Sequence, residues 1–236
     1  MIKKIYKLIL KNFNFSNPFD KIINKNLKIA VVGNSEIIKN NKFGDLIDNH
    51  DFIIRFNRAP TSNFEEYVGS RTDLRVCGEG VFTNTEYKVK GLEFLGEEAN
   101  FIKKLKDSKI LLLHNNNEIF FKDNFKNYTS DTNKIFYFNL IHENILKFKI
   151  ASNFNLIKKI TYLKKEKQFT SGMIIICLLM LKKLDLSLFG FSTNKTDKFY
   201  TSYWQNGGFI ENPVHDLNFE NKLINTFIKK KIRYFI

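Results

Sequence analysis

The chain has 236 residues and carries 38 Lys+Arg against 24 Asp+Glu, a formal charge of +14. At ~100–200 residues per domain it makes one large domain or two small ones. Hydrophobic residues at 43% and charged residues at 26% match a globular chain, which argues against disorder; there is no collagen period, disulfide scaffold or heptad repeat.

The longest apolar run, Met173 to Leu181, falls far short of the ~20 residues of a membrane span. Lysines interleave the apolar residues of the N-terminus, which lacks the continuous apolar segment of a signal peptide. The excess positive charge reads first as solvated surface, with a weaker leaning toward anionic ligands or an anionic membrane. No helix-turn-helix, zinc-finger or RNP-like pattern accompanies it, so no nucleic-acid partner is expected.

Residues 1–13 read as a helix with Lys3, Lys4, Lys7 and Lys11 on one face and Ile2, Ile5, Ile9 and Phe13 opposite. Such a helix lies on an anionic membrane or docks its apolar face on the domain. Pro18 follows its end, so residues 1–27 are expected to form this helix and a connector.

From residue 28 onward, strands and helices alternate. Predicted strands are Lys28–Val32, Asp51–Phe56, Asp73–Cys77, Ile110–Leu113, Lys134–Phe138, Asp185–Phe189 and Ile232–Ile236. They are short, apolar and largely continuous rather than alternating, as strands buried on both faces are. Predicted helices are Lys42–Asn49, Glu118–Phe125, His142–Leu163, Gly172–Leu184 and Leu217–Lys230. The succession predicts one α/β domain over 28–236 with a mostly parallel sheet of about seven strands. The polar stretch Gly78–Asn100 reads as a long loop or an inserted subdomain.

Cys77 and Cys177 lie in apolar stretches and read as small buried hydrophobes, although spacing alone leaves a disulfide between them open. Only five residues are arginine, and Arg55, Arg58, Arg71 and Arg75 are four of them. A guanidinium fork suits phosphate or carboxylate recognition. Internal pairing with Asp48, Asp51, Glu65, Glu66 or Asp73 is the expectation for most of the four.

Four segments carry candidate chemistry. The first strand runs into Gly33-Asn34-Ser35, a strand-to-glycine turn of the kind found at nucleotide sites. Positions 35 and 38 are Ser and Ile, so the G-x-G-x-x-G fingerprint fails, and no G-K-[ST] exists for a P-loop. Gly33 permits close approach of a ligand, and Asn34 supplies an amide; a plain structural turn is the competing reading. The second segment, Arg55 to Thr61, contains Asn57. The third, Thr170-Ser171-Gly172, opens an apolar helix whose free amides could hold an anion. The fourth runs from Tyr200 to Glu220 and holds His215, a general-base candidate in a glycine- and aromatic-rich stretch.

Taken together the segments resemble glycosyltransferase family 29, the sialyltransferases. The large sialyl motif is similar to Ile29-Ala30-Val31-Val32-Gly33-Asn34-Ser35, Phe43-Gly44, Ile47 to Phe52, Arg55 to Thr61, Phe64-Glu65 and Val68 to Thr72. The small motif is similar to Thr170-Ser171-Gly172-Met173 through Leu188-Phe189-Gly190-Phe191, and H-x4-E to His215 through Glu220. Order and spacing are preserved over roughly 28–236.

The resemblance implies a variant GT-A-like (Rossmann-like) three-layer α/β/α domain. It implies an inverting, metal-independent enzyme without cofactor that moves sialic acid from CMP-sialic acid to a glycan hydroxyl. A D-x-D carboxylate pair is indeed absent from the sequence. By the resemblance, Asn34 and Asn57 contact the CMP phosphate and ribose, with Gly33 and Ser35 beside them. Ser171 and Gly172 hold the sialic acid carboxylate and nearby donor groups with the helix amides, Thr170 counts among the donor-binding residues, His215 is the general base, and Glu220 supports the last motif.

Two departures stand out. A family histidine serving the leaving phosphate falls seventeen residues before His215, where this chain has Lys198 followed by Phe199-Tyr200. Lysine would act there as a fixed positive charge, or Tyr200 or Tyr203 takes the role. The disulfide of the animal enzymes is absent, since its positions hold Ile29 and Lys183. A bacterial member is therefore expected, cytoplasmic and peripheral at the inner membrane, acting on lipooligosaccharide, capsule or glycoprotein. Two alternatives are another CMP-activated keto-sugar acid such as CMP-Kdo, and a non-catalytic glycan- or CMP-binding relative.

Overall fold

The computed structural model describes residues 23, 26–78, 109–113, 135–138, most of 143–150, 168–192, 202–204, 215–229 and 232–235. The helices expected over 1–13 and Glu118–Phe125, and most of the loop expected over Gly78–Asn100, lie outside the described residues.

Seven strands form one sheet: β1 (Lys28–Val32), β2 (Phe52–Phe56), β3 (Leu74–Gly78), β4 (Lys109–Leu113), β5 (Ile135–Phe138), β6 (Asp185–Phe189) and β7 (Arg233–Phe235). Their order is β5-β4-β3-β2-β1-β6-β7, and every neighbouring pair is parallel. Each strand lies within one residue of its expected ends. From β1 the chain builds outward through β2 to β5, then returns to place β6 on the other side of β1. That reversal makes β1/β6 the topological switch point, whose carboxyl edge is the ligand-binding edge of open α/β sheets.

Period-two alternation divides the core between the two faces of the sheet. Ile29 and Val31 of β1 pack in one cluster with Ile54, Leu188 and the long helices; Ala30 and Val32 pack in the other with Ile38, Ile47 and Val68. Helical residues therefore cover both faces, which gives the three layers. On the first face lie α3 (Ser171–Lys182) and α4 (Leu217–Ile228). Met173 through Leu179 of α3 are all buried, so this helix is apolar all round. Buried positions 220, 223, 224 and 227 of α4 form the i, i+3, i+4, i+7 stripe of an amphipathic helix. Glu220 heads that stripe, and its carboxyl goes inward with the leucine and isoleucine that follow. Short elements cover the second face: α1 (Gly44–Asp48), α2 (Glu65–Val68) and a 3-10 turn at Glu36–Asn40. Among the described residues, no helix is long and apolar enough to cross a membrane.

The arginines turn inward, but two of them not onto the expected acids. Arg55 and Arg75 are register partners on β2 and β3, which puts two buried guanidinium groups on one face of the sheet. Arg55 donates Nε–H to the Arg71 carbonyl (3.0 Å) and Thr72 Oγ1 (3.1 Å), and Nη2–H to the Val68 carbonyl (2.5 Å). Arg75 donates Nη1–H to the carbonyls of Asn57 (3.2 Å) and Ala59 (2.8 Å). Burial pushes Arg55 down to about 10, and the neighbouring Arg75 charge adds to that. Arg71 does pair with an expected acid, Asp73 at 3.3 Å, while Asp48 accepts from the amides of Ser70 and Arg71.

Lysine cannot reproduce three hydrogen bonds in one plane. Arg55→Lys is expected to destabilise the protein by about 2–3 kcal/mol, because carbonyls are left unmet in the interior. A urea-unfolding midpoint, compared at unchanged slope, checks this.

Candidate active site

Strands β1 and β6 end side by side. Gly33 N–H donates to the Phe189 carbonyl (2.7 Å) and Ser35 N–H to the Gly190 carbonyl (3.2 Å). A Cβ on Gly33 would collide with the Gly190 carbonyl oxygen and press on the Phe191 ring. The glycine is therefore required by the neighbouring strand's exit, and Gly190 itself sits at φ +66°. With the two backbones this close, a cavity of about 310 Å³ opens at the switch point.

This cavity gathers the sequence-predicted residues Gly33, Asn34, Ser35, Asn57, Thr170, Ser171, Gly172, His215 and Glu220. Their elements are separated by up to 187 positions along the chain, from Gly33 to Glu220. Lys198 and Tyr200 lie outside the described residues.

Asn34 contributes its backbone carbonyl to Tyr203 N–H (2.9 Å), and its side-chain Oδ1 is buried with no hydrogen-bond partner. An orphaned amide oxygen in a cavity wall is a place for a ligand donor, such as a sugar hydroxyl. Ser35 is committed locally: it caps the 3-10 turn by accepting from Ile37 N–H (3.4 Å).

Asn57 stands in the left-handed region at φ +49°, which asparagine tolerates better than most residues. Its Oδ1 accepts from Gly78 N–H (3.1 Å), which assigns the amide orientation and leaves the NH2 as its donor end. Arg75 holds its carbonyl from below. Tyr203 does not serve as a replacement for the family histidine: it is buried at 2% exposure, with its hydroxyl donating to the Pro60 carbonyl and its ring against Phe64 and Trp204.

Thr170 is the N-cap of α3, accepting from Met173 N–H at 3.2 Å. Its own donors go to Glu220: N–H to Oε1 at 2.7 Å and Oγ1–H to Oε2 at 2.6 Å. With its one hydroxyl proton spent there, Thr170 sets the helix end and does not itself offer a donor to the cavity. The N-terminal amides of Ser171 and Gly172 are the helix's open end, where partial positive charge favours an anion. Phe191 crowds Gly172, so that a Cβ there would come within 2.8 Å of its ring.

His215 pairs with Gln168 in an isolated parallel bridge. Its Nδ1 lies 3.0 Å from the Gln168 carbonyl oxygen. A carbonyl only accepts, so Nδ1 carries the proton, and neutral His215 has its lone pair on Nε2. That is the tautomer a general base needs.

Glu220 is fully enclosed. Burial pushes its carboxyl up to about 8, opposed by the two hydrogen bonds from Thr170 and assisted by the nearby Glu143 and Asp216 charges. The sequence reading missed Glu143, which is 1% exposed, accepts from Phe169 N–H (2.8 Å) and pairs with Lys147 (2.7 Å). Within the predicted helix from His142 no motif marked it; an i, i+4 Glu–Lys pair on an otherwise apolar face was the available signal.

The sequence profile of glycosyltransferase family 29 (sialyltransferase) matches residues 1–232. The chain belongs to glycosyltransferase family 29. Over 75 residues it is 43% identical to the Mus musculus CMP-N-acetylneuraminate-beta-galactosamide-alpha-2,3-sialyltransferase 1, covering 30% of this chain and 20% of that protein. Over 55 residues it is 52% identical to an Arabidopsis thaliana beta-1,6-galactosyltransferase, covering 23% and 14%. The matched segments thus span only a fifth or less of these curated relatives. A mammalian sialyltransferase crystallised with Gal-beta-1-3GalNAc-ortho-nitrophenol superposes with a TM-score of 0.59 at 20% identity, covering 99% of this chain and 85% of that one. The Campylobacter jejuni sialyltransferase CstII, crystallised with CMP-3FNeuAc, superposes with a TM-score of 0.51 at 16% identity, covering 88% and 81%. At these identities the solved structures share the fold.

The Glu220 carboxyl gives stability a definite pH dependence. Below about 4.5 the folded and unfolded forms are both protonated. Between 4.5 and 8 only the folded form keeps the proton, so stability falls as pH rises through that window and levels above it. Denaturant titrations at pH 5, 6, 7 and 8 are expected to show this decline, and Glu220→Gln to flatten it.

Proposed function

We propose that the protein is an inverting glycosyltransferase that moves sialic acid from CMP-sialic acid to a hydroxyl of a glycan acceptor. The observation that carries this reading is the oriented histidine. His215, with Nδ1–H held by the Gln168 carbonyl, opens into the same cavity as the N-terminus of α3 and the amides of Asn34 and Asn57. The family assignment and the solved relatives described with CMP-3FNeuAc and with a galactoside support it.

In this reading the acceptor oxygen attacks the anomeric carbon as its proton passes to His215 Nε2. The bond from that carbon to the phosphate oxygen breaks, and its electron pair leaves with CMP. Attack opposite the departing phosphate inverts the carbon. The sialic acid carboxylate lies at the amides of Ser171 and Gly172. Asn34 and Asn57 bind the nucleotide's phosphate and ribose, with Gly33 and Ser35 forming the turn beneath them. Lys198 neutralises charge on the leaving phosphate, or Tyr200 takes that role. A single phosphate needs only hydrogen bonds and such a cation, so the reaction runs without a metal. The acceptor is a surface glycan: lipooligosaccharide, capsule or glycoprotein.

The Arabidopsis relative is named as a galactosyltransferase, which favours a second reading in which the same frame takes a different activated sugar. The donor panel is therefore CMP-sialic acid, CMP-Kdo and UDP-galactose, each with galactoside acceptors and EDTA. Nucleotide release is expected from CMP-sialic acid and is expected to survive EDTA. Release from another donor alone would reassign the sugar, and release abolished by EDTA would overturn metal independence.

His215→Ala is expected to lower turnover by about 100-fold or more while CMP affinity stays within a few fold, because a base acts in the transition state. Initial rates and calorimetric CMP titration separate the two effects. Asn57→Gly keeps the positive φ accessible and removes the amide. It is expected to weaken CMP binding by about tenfold, the worth of one hydrogen bond to a charged group; an unchanged constant in the same titration would remove Asn57 from the donor site.

A further inference from the structure

The Gln168 carbonyl that holds His215 and the Phe169 N–H that reaches Glu143 belong to one peptide group. The chain of contacts runs from Glu143 Oε1, accepting from Phe169 N–H at 2.8 Å, across the amide plane, to the Gln168 carbonyl that accepts from His215 Nδ1–H at 3.0 Å. We infer that Glu143 is a positioning residue for His215, orienting the imidazole and raising its basicity through the single peptide bond between Gln168 and Phe169.

The physical basis is amide resonance. The planar peptide delocalises charge between nitrogen and oxygen. A carboxylate pulling on the N–H builds negative charge on the oxygen of the same group, and consecutive hydrogen bonds reinforce one another. The carbonyl becomes a stronger acceptor, which favours the protonated imidazole. A carboxylate placed directly on a histidine does the same work in hydrolytic triads; here a peptide stands between the two.

The surroundings hold the relay in place from three sides. Lys147 pairs with Glu143 Oε1 at 2.7 Å, and its ammonium stands 5.1 Å from the centre of the Phe169 ring. Phe169 is 1% exposed and stacks on Phe219 of α4. The next peptide, at Thr170, is held by Glu220. The titratable and charged groups facing Glu143 are thus Lys147 on its own segment, Glu220 on α4 and Cys177 on α3, while Asp216, the N-cap of α4, acts on Glu220. Glu143 is paired with a cation, whereas Glu220 lies fully buried with its carboxyl pushed up. Of the two buried acids, Glu143 is the one with an ammonium against its carboxyl.

This inference rests on the reading of His215 as the base, and its test is read on the folded protein without substrate. The imidazole of His215 is titrated by NMR in the wild type and in Glu143→Gln, which keeps the acceptor oxygen and removes the charge. The midpoint is expected to fall by about half a unit to one unit, the scale of a charge acting over ~8 Å in a partly solvated interior. Glu220→Gln, which changes no charge in that range, is expected to leave it within about 0.2 units. In the wild type the Phe169 amide resonance is expected to shift with the same midpoint as His215, a measurement that needs no variant to fold. The acidic limb of kcat/KM is expected to move with the midpoint in Glu143→Gln while donor KM stays within a few fold. An unchanged His215 midpoint in Glu143→Gln, or a Phe169 amide that does not follow the imidazole, overturns the relay. A wild type that releases no nucleotide overturns the transferase reading instead, and the two titrations still decide the relay.

Discussion

The architecture depends on how closely two strand exits approach. Strand β1 lies in the interior of the sheet, flanked by β2 and β6, and the chain reverses its direction of growth around it. At its carboxyl end Gly33 passes so near Gly190 that a side chain on Gly33 cannot be accommodated. Everything that faces the cavity is referred to this contact. The Asn34 turn leaves from one side of it, Phe191 packs beside it against Gly172, and α3 begins where that ring stops. A methyl group on Gly33 would separate the two halves of the sheet where their loops meet.

Around that contact, polar groups buried in the protein do positional work. Arg55 and Arg75 bind backbone carbonyls of the loops following β2 and preceding β3, fixing the turn that carries Asn57. Glu220 and Glu143 bind the consecutive amides of Thr170 and Phe169, fixing the strand-like segment that orients His215. Cations on one face and carboxyls on the other thus hold the two walls of one cavity. Each is costly to bury alone and meets main-chain groups that would otherwise be unmet.

Most of the frame was legible in the sequence because buried parallel strands are continuous apolar runs, and Lys28–Val32, Phe52–Phe56 and Asp185–Phe189 have no other plausible form. Helix α4 was legible from its stripe and α3 from its cap. The four-residue α2 and the 3-10 turn at Glu36–Asn40 escaped, since a single turn leaves no period to read. Partners of Arg55 and Arg75 were expected among the acids, but the two groups bond carbonyls and the Thr72 hydroxyl; main-chain oxygens are the same at every position and leave no mark on a sequence. Cavity-lining residues such as His215 and Ser171 were singled out by motif spacing, whereas Glu143 sits outside every motif. Lys183 ends α3 at φ +56°, with its N–H on Met180 and that of Leu184 on Leu179, a closure that glycine usually provides and that residue identity hid.

The two cysteines share a property that reaches beyond packing. Cys77 on β3 and Cys177 at the middle of α3 are both fully buried. Burial pushes the Cys77 thiol up to about 12 and the Cys177 thiol far above its ordinary range. Alkylation requires the thiolate, so neither sulfur reacts while the sheet and α3 stay closed. The rate at which a small electrophile consumes each one therefore counts the excursions in which that part of the interior opens to water. The protein carries two internal clocks for its own breathing, one in the sheet and one in α3, with no label to be engineered in.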